Sequence, residues 1–210
     1  MAKVIIGNVY PTDEYLLSRC APAGFGLGGN GQLVEITSLS DIDTISKNGW
    51  YNIHSGNEIT LGGFSFTSCV LEVSSLSDTY CWQIIRFLGK NSTLIRNKNN
   101  GVWGEWEWEN PPMELGKEYR TTELWRGKPV YTKLINFGVS SNGASISHRI
   151  NPNTIIRYSA VAGAIPLPHF NTAEPAYQIT VSVGATDITM ACGASRTGLQ
   201  TYVQVWYIKN

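Results

Sequence analysis

Apolar and polar residues alternate with a period of two along most of this chain, and the helical period hardly appears. Because successive side chains of a β-strand point to opposite faces, this alternation predicts half-buried strands. Within residues 68–74, for example, Cys69, Leu71 and Val73 would share one face. The pattern therefore indicates an all-β chain.

Further local signals refine this prediction. Residues 93–96 and 102–108 flank the turn 97–101, whose Asn and Gly residues tolerate positive φ, so a β-hairpin is expected there. Residues 80–88 carry large apolar side chains on both sides, which predicts a strand covered on both faces. One helix is predicted over 40–45. Strands in the second half are predicted at 130–137, 154–161, 177–183, 187–192 and 200–208.

Short strands separated by turn residues are typical of sandwiches, so we expect two small antiparallel β-sandwich-like domains. The two prolines at 111–112 should end a Trp-rich strand, because proline supplies no hydrogen-bond donor to a sheet. We place the domains at 31–113 and 114–210. The Gly-rich stretch 21–31 cannot pack a core, so residues 1–30 are expected to form a lead-in, as a shaft or oligomerisation segment.

Charge and hydropathy exclude several function classes. The 210 residues include 16 basic and 16 acidic ones, a formal net charge of zero. Without a basic excess to neutralise phosphates, we expect no nucleic-acid partner. No apolar run approaches the length of a membrane-spanning helix, and the first residues lack the signal-peptide pattern. We therefore expect neither membrane insertion nor signal-directed export.

No motif for a cofactor or a metal has its required context. Residues 24–29 formally match GxGxxG, but no strand precedes them and no helix follows, so no cofactor is expected. The histidines His54, His148 and His169 lie far apart, and the four cysteines are scattered. We expect no metal site and only packing roles for the cysteines.

The best carboxylate pair is Glu105 and Glu107, which would share one face of a strand. Two such carboxylates could act on a glycoside as acid and base. We favour the interpretation that both glutamates simply lie on the solvent-exposed face of an amphipathic strand. Nucleophilic catalysis is not indicated either, because no serine lies in a nucleophile elbow. The prediction is a protein that is not an enzyme and has no catalytic residues.

The composition favours a binding function over a catalytic one, because seven Trp and ten Tyr occur in a chain with only 15% charged residues. Aromatic faces can cover the apolar faces of sugar rings, and loops on a rigid β scaffold often carry the polar contacts. The alternative, that each strand tryptophan is a core residue, stays open. The candidate ligand contacts are Trp106, Trp108, His169, Asn171 and Arg196.

Two stretches resemble phage proteins. Residues 41–108 contain GWY at 49–51, CVLEV at 69–73 and GVWGEW at 101–106. They resemble the pyocin-knob-like repeat of phage and tailocin tail fibres, except that Gly104 stands where serine is usual. Residues 118–209, with WRGKPVYTK at 125–133, resemble a C-terminal domain common in phage tail fibre proteins. APAGFGLG at 21–28 is similar to the junction before fibre knobs.

The resemblance implies a receptor-binding protein of a tail fibre or baseplate, assembled in the host cytoplasm and carried on the virion. Such proteins are usually homotrimers that adhere to host cell-surface polysaccharide or glycan and contact other phage tail proteins. One alternative is a structural tail-tip or adaptor protein without receptor contact. The least favoured alternative is a polysaccharide depolymerase, since the chain lacks a β-helix repeat.

Overall fold

The computed structural model describes residues 3–5, 8–10, 34–36, 39–61 and 64–209. Strands dominate these residues, so the all-β prediction is confirmed. The chain divides into two compact units, Met1–Trp106 and Glu107–Asn210. Of the predicted lead-in, only two short strands, β1 (Lys3–Ile5) and β2 (Asn8–Tyr10), are described, and they pair antiparallel. In the described part of the chain, no helix is long and apolar enough to cross a membrane.

The first unit is built on one sheet whose strands follow one another in sequence order. They are β3 (Val34–Ile36), β4 (Gly49–Leu61), β5 (Phe64–Ser77), β6 (Tyr80–Phe87), β7 (Thr93–Asn99) and β8 (Val102–Trp103). Neighbouring strands pair antiparallel except β3 and β4, which are parallel. The predicted helix is a short 3₁₀ helix at Leu39–Thr44.

The hairpin of the first unit is confirmed. Strands β7 and β8 pair through Lys98 and Trp103, and the turn residues Asn100 and Gly101 both have positive φ. This turn matches the right-handed twist of the strands it joins. The second strand is shorter than predicted and ends at Trp103.

Strand β6 corrects one expectation. Its residues alternate, with Cys81, Ile85 and Phe87 buried, whereas Trp82 is 49% exposed. The prediction that 80–88 is covered on both faces was wrong. Both faces of this strand carry large apolar side chains, but in the described structure Trp82, on one of the two faces, is exposed to solvent.

The second unit is a two-layer sandwich. Its large sheet has the order β9–β10–β11–β17–β13–β14, and its small sheet has the order β12–β16–β15. The strands are β9 (Glu107–Asn110), β10 (Glu118–Trp125), β11 (Lys128–Val139), β12 (Ser145–Ser147), β13 (Pro152–Ala162), β14 (Ile165–Leu167), β15 (Ile179–Val183), β16 (Asp187–Cys192) and β17 (Gln200–Lys209). All pairs are antiparallel except β9 with β10.

The core of the second unit lies between these two sheets. Strand β17 contributes Val203, Val205 and Tyr207, which pack with residues of the small sheet such as Ile179 and Ile188. Because side chains alternate along β17, its even-numbered residues point to the other face of the large sheet. That outer face carries a groove.

Candidate functional site

A groove of about 340 Å³ lies on the outer face of the large sheet of the second unit. Its walls come from β9, β10, β11, β17 and the segment that follows β9. We call it the Trp206 groove. The residues that matter for its chemistry are Trp206, Gln204, Glu123, Thr122, Asn110 and Thr132.

One end of the groove is an aromatic ring beside an ion pair. The guanidinium carbon of Arg157 lies 4.7 Å from the ring centroid of Trp206. The two terminal nitrogens of Arg157 donate to the two carboxylate oxygens of Glu123, each at 2.6 Å. These hydrogen bonds lower the pKa of the Glu123 carboxyl and raise the pKa of Arg157. Glu123 is therefore an ionised acceptor at neutral pH.

The floor of the groove is polar. Gln204 Nε2 donates to Thr132 Oγ1 at 3.2 Å and lies 3.6 Å from Met113 Sδ. Thr132 is buried, and Met113 has a φ of 53°, a backbone conformation that few residues other than glycine adopt. Strain of this kind is concentrated at functional sites. The groove thus combines an indole with amide, hydroxyl and carboxylate groups.

Of the two tryptophans predicted as contacts, Trp108 lines the groove and Trp106 does not. Trp106 ends the first unit, and its half-buried ring lies 4.2 Å from the guanidinium carbon of Arg96. Trp108 is only 2% exposed and packs edge-on against Tyr119, with ring centroids 5.5 Å apart. A covered ring cannot stack on a sugar, so Trp108 is a core residue that also closes the bottom of the Trp206 groove.

The three loop candidates each make hydrogen bonds within the second unit. Asn171 Oδ1 accepts hydrogen bonds from the backbone N–H groups of Ala173 and Glu174. Arg196 Nε donates to the Tyr177 carbonyl at 3.1 Å, and its guanidinium lies 5.1 Å from that tyrosine ring. The backbone of His169 exchanges two hydrogen bonds with Ile179.

The two carboxylates considered for acid–base chemistry, Glu105 and Glu107, have different surroundings. Both Nε and a terminal nitrogen of Arg120 reach Glu107 Oε1, at 3.0 and 2.9 Å. Glu105 is exposed. In the described residues no group of three or more His, Cys, Asp or Glu side chains could hold a metal ion.

The sequence did not predict the groove residues, because they lie on strands that are distant in sequence and become neighbours only in the folded sheet. Trp206 and Gln204 alternate with the core residues Val205 and Tyr207, a signal visible in the sequence. Arg157 faces Trp206 only because β13 pairs with β17 in that register. No local pattern specifies this pairing.

No family model matches the chain, and no curated protein matches it. An N-truncated R2-type pyocin tail fibre is similar over 82% of this chain and 94% of its own, with 10% identity and a TM-score of 0.26. The C-terminal parts of the P. aeruginosa R2 and R1 pyocin fibres give TM-scores of 0.28 and 0.26 at 10% and 11% identity. They are covered over 65% and 67% of their length, and this chain over 82% and 84%. Likeness this low carries no functional conclusion.

Proposed function

We propose that this chain is a receptor-binding protein of a phage or phage-like tail fibre or baseplate, and that it binds host cell-surface glycan without cleaving it. The motifs at 49–51, 101–106 and 125–133 support the tail-fibre part of the proposal. The groove supports the glycan part. The virion tail is the proposed location, with assembly in the host cytoplasm.

The observation that carries the glycan proposal is the composition of the Trp206 groove. An indole can cover the apolar face of a pyranose, while the Gln204 amide, the Thr122 hydroxyl and the Glu123 carboxylate are suited to sugar hydroxyls. The groove is lined by a mixture of polar and apolar groups, as the two kinds of surface on a sugar require.

The same contacts support binding without catalysis. A glycosidase needs one carboxylic acid that holds its proton near neutral pH. The pKa of Glu123 is lowered instead, because Arg157 donates two hydrogen bonds to it. Glu107 is neutralised by Arg120. Glu123 is therefore unsuited to the role of the acid, and Glu107, one of the two carboxylates of the depolymerase alternative, is held in an ion pair.

We also propose that the chain acts as a homotrimer within the tail. Exposed apolar side chains support an intermolecular role: Trp50, Trp82 and Leu88 of the first unit are between 49% and 61% exposed. Three copies would multiply weak sugar contacts through avidity. The same exposed residues favour the second candidate, a structural adaptor that binds another tail protein and no glycan.

Substitution of Trp206 tests the proposal. We expect Trp206→Ala to weaken the binding of the purified chain to host cells and to a glycan array by about tenfold or more, as for an aromatic residue central to an interface. Trp125→Ala is the matched control, because Trp125 is exposed and does not line the groove. Equal binding by both variants would remove the groove from the proposal. No binding by the unsubstituted chain to any glycan would favour the adaptor.

A further inference from the structure

A second cavity of about 610 Å³ in the second unit combines cationic and apolar walls. We call it the Lys133 pocket. Lys133 and Arg149 supply positive charge, whereas Leu115, Ile135 and Ile146 supply apolar surface. Among its described lining residues there is no acidic side chain. The pocket therefore has a net positive wall beside an apolar one.

The two cations have no acidic partner among the described residues. Lys133 Nζ lies 3.4 Å from the backbone carbonyl oxygens of His148 and Arg149, a long contact that leaves the charge unneutralised. The acid opposite Lys133 on the neighbouring strand is Glu118, and its carboxylate is engaged by Tyr207 and Lys209. Neither Lys133 nor Arg149 is therefore held in an ion pair within the described residues.

A buried histidine holds the turn that carries Arg149. His148 is 2% exposed, its Nδ1 accepts the N–H of Ile150 at 3.2 Å, and its Nε2 lies 3.2 Å from the Gly184 carbonyl oxygen. The backbone N–H of His148 donates to the Thr186 carbonyl. Within this clamp Arg149 has a φ of 51°, a strained conformation for a residue with a side chain. Arg149 thus lines the pocket although a glycine would fit that backbone better.

We propose that the Lys133 pocket binds the carboxylate of an acidic sugar and packs that sugar's acyl substituent against its apolar wall. Arginine matches a carboxylate with two parallel hydrogen bonds, and lysine adds a second positive charge. Leu115 and Ile146 offer apolar surface to an acetyl methyl group. The choice of a sugar as the ligand rests on the proposed function, whereas the choice of an anion rests on the pocket alone.

The test uses the methyl glycoside of N-acetylneuraminic acid as the probe and its methyl ester as the uncharged analogue, both titrated by NMR. We expect the acid to bind the unsubstituted chain and the ester to bind about tenfold more weakly. Arg149→Gly should reduce the affinity for the acid to that for the ester. This variant should fold, because glycine relieves the left-handed backbone at position 149. Lys133→Gln should reduce the affinity in the same direction.

Arg126→Gly is the matched control. Arg126 is also an exposed arginine with positive φ, at 50°, but it lies in the turn between β10 and β11 and does not line the pocket. Equal affinities of Arg126→Gly and Arg149→Gly for the acid would overturn the proposal, as would equal binding of acid and ester. Inorganic phosphate that binds as tightly as the acid would identify a simple anion site and overturn the sugar assignment. Retained host-cell binding that depends on Trp206 would show that only this inference had failed.

Discussion

Arg96 is expected to stabilise the first unit, and Arg96→Met tests this. The Arg96 side chain is 7% exposed. Its Nε and one terminal nitrogen donate to Gln83 Oε1 at 2.9 and 2.7 Å, and the terminal nitrogen also donates to Asp43 Oδ1 at 2.6 Å. Its guanidinium carbon lies 4.2 Å from the ring centroids of both Trp103 and Trp106. The contacts hold the 3₁₀ helix and the rings of Trp103 and Trp106 against β6 and β7.

The size of the effect follows from what each partner loses. Gln83 is completely buried, so its Oε1 would be left without these donors at a cost of about 1–3 kcal/mol. Two cation–π contacts would add about 0.5–1 kcal/mol each. Asp43 is 64% exposed and returns to water at little cost. Arg96→Met also removes the desolvation cost of a buried charge, which offsets part of these losses. We therefore expect the free energy of unfolding to fall by about 3 kcal/mol.

The assay is urea unfolding followed by tryptophan fluorescence, with each unit treated as its own transition. At an m-value of about 2 kcal/mol/M, a loss of 3 kcal/mol lowers the midpoint of the first unit's transition by about 1.5 M. Asp43→Asn is the control and should lower the stability by less than about 1 kcal/mol. If Arg96→Met and Asp43→Asn had equal effects, the reasoning from burial would be refuted.

Three further predictions concern other positions. Gly193→Ala should destabilise the second unit by about 1–3 kcal/mol in thermal unfolding, because a Cβ there would lie 2.4 Å from the Ala176 carbonyl oxygen; unchanged stability would contradict this. Glu123→Gln should cost at most about 1 kcal/mol at neutral pH, since the pair with Arg157 is partly exposed. Because the pKa of Glu123 is lowered on folding, its contribution is present above the usual value of 4.5 and is lost as the pH falls through the lowered pKa, so the two proteins should converge in acid. Burial raises the pKa of the Cys69 thiol to about 12, so iodoacetamide at about pH 8 should label it only after unfolding; peptide mapping that finds Cys69 labelled in the folded chain would contradict its burial.

Much of the fold could be predicted from alternation alone. The strand expected at 187–192 is β16, Asp187–Cys192, and the face shared by Cys69, Leu71 and Val73 is buried as expected. These features depend only on neighbouring residues, because alternate side chains of a strand lie on the same face. The turn at 97–101 was equally local, because Asn and Gly adopt positive φ most easily.

The site could not be predicted in the same way. Whether a strand tryptophan is covered depends on which segment packs over it, and that segment is distant in sequence. Trp108 is covered and Trp82 is exposed, although both lie in stretches rich in large apolar residues. Likewise, Glu123 and Arg157 meet only because β11 and β17 lie between their strands. Loop residues such as Asn171 were attractive for their polarity, which the loop uses for its own hydrogen bonds.

The most direct test of the glycan-binding proposal is the dissociation constant of an array-selected oligosaccharide, measured by titration calorimetry for the unsubstituted chain and for Thr122→Trp. Thr122 is an exposed residue that lines the Trp206 groove, so an indole there fills the groove without removing a core contact. We predict an affinity at least about tenfold lower for Thr122→Trp. An unchanged dissociation constant would contradict the assignment of glycan binding to this groove.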